Sequence, residues 1–195
     1  MSFLMVLLAI AALMFWIAIS AYNSLVTYRQ RYKNAYAQID VQLRRRHDLI
    51  PNLVEAVKGY MSHERETLEA VINARNAAVN ATQSAARSPG DARSMQQLGE
   101  AEAVLSGTLG RLFALAEAYP DLKADRSMAD LTEELRSTEN RIAFARQAFN
   151  DAITLYNTKR DVFPSNLVAG MFNFEEAQLL EENDPAVKAV PKVSF

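Results

Sequence analysis

The sequence predicts an all-α protein whose N-terminal transmembrane helix continues into a long antiparallel helical bundle, with four long helices favoured over three. Three observations support this fold class. Residues 3–21 are apolar except for one serine, and later apolar residues recur at steps of three and four, which place them on one helical face. Glycine and proline number only six each, a low share that suits helices because both residues destabilise helix interiors.

The apolar run Phe3–Ala21 has the length of a membrane span. At 1.5 Å per residue it extends about 28 Å, close to the ~30 Å hydrocarbon core of a bilayer, and no charged side chain precedes Arg29. The alternatives are a cleaved signal peptide and a buried core helix. A signal peptide has a basic N-terminal region, which residues 1–2 do not supply, and a core helix of this length would have a polar face. A retained span is therefore the favoured interpretation.

The cations that flank this run predict its orientation. None precedes it, whereas Arg29, Arg31 and Lys33 follow it within a short distance. Because segments rich in Lys and Arg stay in the cytoplasm, we expect a single-pass membrane protein. Its N-terminus would lie outside and its bundle in the cytoplasm.

Composition and motifs exclude several classes of chemistry. The chain has no cysteine, which rules out disulfides, thiol nucleophiles and thiolate metal sites. The formal net charge of −2 argues against a nucleic-acid partner. The sequence shows no nucleophile motif and no glycine-rich phosphate loop, nor the Glu-x-x-His pairs of helical-bundle metal sites. We therefore expect no catalytic, cofactor-binding or metal-ligating residues, with His47 and His63 as caps or surface residues.

Proline and capping residues predict where the helices meet. Pro51 is expected to end or kink the first helix, with Asp48 as the N-cap of the second. A full turn there gives four helices and a bend gives three. Ser88, which is followed by a proline, is expected to cap the third helix, and Ser127 to open the fourth.

The fourth predicted helix has the most regular apolar seam of the chain, a heptad-type pattern. Its members are Met128, Leu131, Leu135, Thr138, Ile142, Ala145, Phe149, Ala152 and Tyr156. Asn150 and Asn157 flank this seam and are expected to fix the register between helices. A short helix is expected within Leu167–Leu180, followed by an extended tail. The chain thus divides into an anchor (1–22), a bundle (23–164) and a short helix with an acidic, proline-containing tail (165–195).

Opposite charges predict a candidate interaction surface. Three consecutive arginines fan over about 200° of a helix, and residues 175–184 hold five acidic side chains and no cation. The arginines are interpreted either as solvated charge near a helix end or as the receptor for the acidic segment of the same or a neighbouring subunit. The candidate surface comprises Arg44, Arg45, Arg46, His47, Asp48, Glu175, Glu176, Glu181 and Glu182.

Several stretches along the chain resemble one bacterial family. They include IDVQLRRRHDLIPNLVEAVKGY at Ile39–Tyr60, EAYPDLKA at Glu117–Ala124 and the closing PKVSF. In this order they resemble the LemA family of small bacterial membrane proteins. Two residues depart from the family pattern, because Tyr36 stands where tryptophan is frequent and Asn173 where glycine is usual.

The resemblance implies a helical bundle anchored in the bacterial inner membrane and little chemistry, because no activity is established across the family. One branch, in magnetotactic bacteria, is associated with building magnetosome membranes. We therefore expect a non-enzymatic structural or scaffold protein that contacts the lipid bilayer and forms homo-oligomers, without nucleic acid or cofactors. The alternative is an accessory or adaptor subunit of a membrane enzyme complex, such as a quality-control protease, with another membrane protein as its partner.

Overall fold

The computed structural model describes residues 2–61 and 63–181. Within these ranges there are four long helices and two short ones and no strand, so the all-α fold class is confirmed. The helices are α1 Ser2–Lys58, α2 Arg65–Arg87, α3 Ala92–Ala116, α4 Pro120–Lys123, α5 Arg126–Asp161 and α6 Ser165–Met171.

The first helix joins the apolar run to the bundle without a break. It has 57 residues, about 85 Å at 1.5 Å per residue. Its most apolar window of 18 residues has a mean hydropathy of 2.7 and no buried residue, so α1 is long and apolar enough to cross a membrane. From Ala21 onward, one face of α1 is buried in the bundle.

The predicted end of the first helix at Pro51 is wrong. The helix α1 passes through Pro51 and ends only at Lys58, so Asp48 lies inside a helix and caps none. The chain turns only after Lys58, and residues 59–61 and 63–64, between α1 and α2, are not helical. Four long helices are still present because this later turn separates the first two.

The predicted caps of the next helices are displaced by a few residues. Asp91, not Ser88, caps α3, and its carboxylate accepts a hydrogen bond from the backbone N–H of Ser94 at 2.9 Å. Asp125, not Ser127, caps α5 in the same way. A carboxylate satisfies the free N–H groups of a helix start as a hydroxyl does, and its charge also interacts favourably with the helix dipole.

The core is formed where α5 runs back antiparallel to α1. The rings of Tyr32 and Tyr156 meet edge to face at 5.2 Å between centroids, and those of Tyr36 and Phe149 at 5.5 Å. Edge-to-face contacts are a preferred packing of aromatic rings. The α5 seam is confirmed, since six of its nine predicted members are buried and the other three are partly buried. A second apolar cluster joins the end of α1 to α2 and α3.

The short helix predicted within Leu167–Leu180 is found only in part. The helix α6 ends at Met171, and residues 172–181, here called the strap, are not helical. Asn173 begins this change of direction with a φ of 53°. That left-handed conformation favours glycine, and asparagine tolerates it better than most residues, which explains why Asn173 can replace the usual glycine. Glu182 and the predicted tail lie outside the described residues.

Candidate interaction site

Two of the three arginines point to solvent from α1. The Nε atom of Arg44 donates to Oδ2 of Asp40 at 3.0 Å, one turn earlier on the same helix. The Nε atom of Arg45 donates to Oε1 of Glu134 on α5 at 2.9 Å. More than half of each arginine side chain is exposed. Ion pairs this exposed contribute roughly 0–1 kcal/mol, so they set local geometry more than stability.

Arg46 is buried and joins three helices. Its residue surface is only 5% exposed. One terminal nitrogen lies 3.0 Å from Oε2 of Glu102 on α3 and 3.3 Å from Oε2 of Glu139 on α5, and the other donates to Oγ of Ser106 at 2.7 Å. Charge-assisted hydrogen bonds of this kind are stronger than neutral ones. Arg46 therefore ties α1 to both α3 and α5, and its interpretation as solvated charge is wrong.

His47 shares the same carboxylate. It is 2% exposed, and its Nε2 atom lies 2.8 Å from Oε1 of Glu102, whose other oxygen accepts from Arg46. An ionised carboxylate can only accept hydrogen bonds, so Nε2 carries the hydrogen in this pair. The surface position predicted for His63 is confirmed, whereas the cap or surface role predicted for His47 is wrong.

Asp48 and the backbone of His47 face α2. The Nη2 atom of Arg75 lies 3.9 Å from Oδ1 of Asp48, whose side chain is largely exposed. The Nε atom of the same arginine donates to the carbonyl oxygen of His47 at 3.1 Å. Together, the side chains of Arg45 to Asp48 thus contact all three of the helices α5, α3 and α2.

The acidic half of the predicted surface lies on the strap. Glu175 and Glu176 have exposed side chains, and Glu181 lines a cavity of about 60 Å³ together with Arg46. In the described part of the chain, the ion pairs of the three arginines go to acids of the helices. Glu182 is not described. Docking of the whole acidic segment on the arginines stays a prediction.

Two asparagines hold the strap against α5. The side-chain amide of Asn157 donates to the carbonyl of Ala177 and accepts from its N–H, at 2.8 and 3.0 Å. Asn150 makes the same pair of bonds with Leu180, at 3.1 and 2.9 Å. Seven helical residues span about 10.5 Å and three extended residues about 10 Å, so the spacings match. The asparagines therefore fix the register of the strap, and the predicted role in helix register is wrong.

A groove between α3 and α5 opens beside the buried arginine. It has a volume of about 670 Å³ and is lined by apolar side chains, among them Leu109, Phe113 and Leu135, with Arg46 and Glu139 at its polar side. Among residues 2–61 and 63–181, no group of three or more His, Asp and Glu side chains is arranged to hold a metal ion. The lining of the groove thus combines apolar and charged side chains.

The partners of the buried cations were not predicted, although the sequence contains a signal for them. Glu102 lies on the same face of α3 as Leu98, Leu105 and Leu109, because the steps between them are three, four and seven. Arg46 similarly lies within the apolar stripe of α1. A charged residue inside an apolar stripe is seldom buried unless it is paired. The positions of Glu102 and Arg46 therefore indicated that each has a buried partner of opposite charge.

The fold and this site together define a class of protein: a membrane-associated helical bundle whose first helix provides an apolar extension and whose buried charges connect helices. The chain belongs to the LemA family, whose model matches residues 35–195.

Relatives of known name are distant but match most of the chain. The magnetosome proteins MamQ 1 and MamQ 2 of Paramagnetospirillum magneticum are each 25% identical over 176 residues, which cover 83% of this chain and 65% of theirs. Protein LemA of Metamycoplasma hominis is 22% identical over 182 residues, or 93% of this chain and 78% of its own. The chain thus spans less than two thirds of the length of the magnetosome proteins that it matches.

Proposed function

We propose that this protein is a membrane-anchored scaffold that self-assembles at the bacterial inner membrane and has no intrinsic catalysis. The continuity of α1 carries this proposal, because one helix of 57 residues contains both the apolar run and the first helix of the bundle. With no linker between them, the bundle keeps a fixed height and orientation relative to the bilayer. A scaffold needs such fixed geometry so that neighbouring copies present matching surfaces.

The buried charges support a structural role for the bundle. Arg46 bonds to Glu102 on α3 and approaches Glu139 on α5, so the polar side chains at its centre are engaged with one another. Buried ion pairs add little net stability but disfavour alternative packings in some proteins. Two of the relatives are named as magnetosome proteins.

The outer face of α5 supports self-assembly. Phe144 and Leu155 are 75% and 55% exposed, and because eleven residues make about three turns they lie on the same side of α5. This side faces away from Ile142 and Phe149, which are buried in the core. Large apolar side chains on an outer helix face are a surface that a second copy can cover.

Co-purification of two differently tagged copies tests the assembly. In a mild detergent, the second copy should be recovered with the first, and Phe144→Glu together with Leu155→Glu should reduce that recovery by about tenfold or more, since burying two unpaired charges is costly. Val104→Glu on α3, where Val104 is 59% exposed, is the matched control and should leave recovery unchanged. Failure of the unmodified copies to co-purify would contradict self-assembly.

Cysteine labelling tests the orientation, since the natural chain has no cysteine. Ser2→Cys should react with a membrane-impermeant maleimide in intact spheroplasts, and Ser84→Cys, at an exposed position on α2, should react only after lysis. The cations that follow the apolar run favour this orientation. The opposite labelling pattern would show that the bundle lies outside.

The groove between α3 and α5 favours a second candidate function, an adaptor for a membrane enzyme. Its mixture of apolar and charged lining residues suits one helix of a partner. Affinity purification should then return a stoichiometric enzyme that Phe113→Glu in the groove releases and Phe144→Glu on the outer face retains. Recovery of the protein's own copies alone would favour the scaffold.

A further inference from the structure

We propose that the end of the bundle formed by α6 is itself immersed in the membrane interface, so that the protein contacts the bilayer through two elements and not through α1 alone. This inference rests on the proposed anchoring of α1. The element concerned is the juxtamembrane patch, defined by the exposed side chains of Phe163, Leu167, Met171 and Phe172.

The fold brings α6 alongside the end of the apolar run. The helix α5 returns toward the N-terminal part of α1, and α6 follows it. Val168 and Ala169 of α6 are buried in the same cluster as Ala21 and Leu25, and Ala18 packs against this cluster. Since Ala18 and Ala21 belong to the apolar run, this cluster reaches the last turn of the run, and the ring contact between Tyr22 and Phe172 places the end of α6 there. A bilayer that holds the run to its end reaches α6 as well.

Ring contacts place the patch at the same level. The ring of Phe172 meets that of Tyr22 edge to face at 5.0 Å, and the ring of Phe174 meets it at 5.5 Å. Tyr22 directly follows the apolar run, where aromatic side chains mark the boundary between hydrocarbon and headgroups. The patch thus extends the apolar surface of α1 laterally, in the plane of the membrane surface.

The composition of this segment fits lipid better than water. No charged side chain occurs in Val162–Phe174. While one face of α6 is buried in the core, its other face exposes Leu167 at 58% and Met171 at 80%, with Phe163 at 77% and Phe172 at 56% beside them. A helix that is apolar on both faces belongs in a protein core or in a membrane.

Cations lie on the bundle side of the patch. Arg29 and Arg31 follow Tyr22 on α1, and Lys159 precedes the patch on α5. The guanidinium of Arg29 lies 4.9 Å from the ring centre of Phe174, a buried ring two residues after Phe172, which places a positive charge close to the patch. Apolar side chains with basic ones on their bundle side match an anionic bilayer surface, which attracts nearby Lys and Arg. The occupant that fits the patch is therefore lipid.

Fluorescence quenching by brominated lipids tests this assignment with the full chain in vesicles of phosphatidylcholine and phosphatidylglycerol. Trp16 is the single tryptophan and reports on the span. In a Trp16→Phe background, Met171→Trp reports on the patch, with Leu167→Trp as a second site should the first variant fold poorly. Phe144→Trp, which replaces an equally exposed apolar side chain far along α5, is the matched control.

We expect shallow bromine atoms to remove about half or more of the emission of Met171→Trp, because interfacial helices are buried ~5–10 Å deep. Phe144→Trp should be unaffected. If Trp16 is quenched while Met171→Trp behaves as Phe144→Trp does, the inference fails and the anchor stands. Blue-shifted emission from Met171→Trp without bromine quenching would show that protein, and not lipid, covers the patch. That result would also overturn the inference. Absence of quenching at Trp16 would instead overturn the anchoring itself.

Discussion

The Nε atom of Arg75 on α2 donates to the carbonyl oxygen of His47 on α1 at 3.1 Å. His47 lies four residues before Pro51, whose ring nitrogen has no hydrogen to give to that carbonyl. A neighbouring helix thus supplies the hydrogen bond that the proline removes. This contact explains how α1 continues through Pro51 with its backbone acceptor satisfied.

Replacing this donor should destabilise the bundle. We expect Arg75→Met to lower the free energy of unfolding by about 1–2 kcal/mol, because a buried acceptor loses its partner. In a Pro51→Ala background the backbone N–H at position 51 can bond to His47, so the same substitution should cost less. The measurement is urea unfolding of the four proteins of this double-mutant cycle, and equal costs in both backgrounds would contradict the explanation.

Sequence patterns predicted the fold class better than the turns. The apolar run and the seam of α5 depend on the local spacing of side chains, which is visible along the chain. The break at Pro51 was wrongly predicted because the loss of an N–H donor is local, whereas its replacement comes from Arg75, 28 residues away. The turn instead falls just after Lys58, at Gly59, where glycine does end a helix readily.

The contacts of the strap were not predictable for a related reason, and the sequence indicated only that Glu102 needs a buried cation, not which one. Asn150 and Asn157 bond to backbone groups of the strap, and backbone groups leave no pattern in a sequence. Glu102 could pair with any of three consecutive arginines, and only the packing of α3 against α1 selects Arg46. Sequence periodicity therefore did not predict which groups, far apart in the sequence, contact each other.

The two neighbouring arginines should differ sharply in their effect on stability. Arg46→Ala leaves Glu102 and Glu139 without their buried partner and should lower the free energy of unfolding by about 3–5 kcal/mol. Arg45→Ala removes only an exposed pair with Glu134 and should cost less than about 1 kcal/mol. Thermal and chemical unfolding measure both. Equal costs would show that Arg46 is solvated in the protein as it occurs in the membrane.

Two glycines should respond in opposite directions to alanine. Gly90 has a φ of +87°, and a Cβ there would lie 3.1 Å from Cβ of Ala177 on the strap and 3.2 Å from the ring of Tyr32. Gly90→Ala should therefore destabilise the protein by about 1 kcal/mol or more and speed hydrogen exchange at Ala177. At Gly107 no atom lies within 4 Å of an added Cβ.

Gly107→Ala is the matched control, since it replaces an exposed helical glycine by a better helix former. It should stabilise the protein by up to about 1 kcal/mol. Melting temperatures of the two variants decide the matter, and a loss of stability in both would contradict the proposed fit of the strap over Gly90.

The cap of α3 predicts an acid-dependent loss of stability. The backbone and side chain of Ser94 donate hydrogen bonds to Asp91 and hold its pKa below the ordinary value of 3.8. Because the folded pKa is the lower one, the stabilisation is fully present above the ordinary value and is lost as pH falls through the folded pKa. Asp91→Asn keeps a capping oxygen without the charge.

The melting temperature of Asp91→Asn should therefore lie below that of the unmodified protein at neutral pH, and the gap should close below pH ~4. Circular dichroism across this pH range measures it. Asp151→Asn, at an exposed position within α5, should show no such closing gap. A gap that persists at low pH would mean that the carboxylate charge of Asp91 is not what stabilises the cap.

The mass of the particle extracted together with its native lipid tests the central claim most directly. Extraction with a membrane-solubilising polymer, followed by single-particle mass measurement, should give a defined multiple of the protomer mass. The same preparation of Phe144→Glu with Leu155→Glu should give single protomers in lipid. A single protomer for the unmodified protein at every concentration, or release of the protein without lipid, would contradict a self-assembling membrane scaffold.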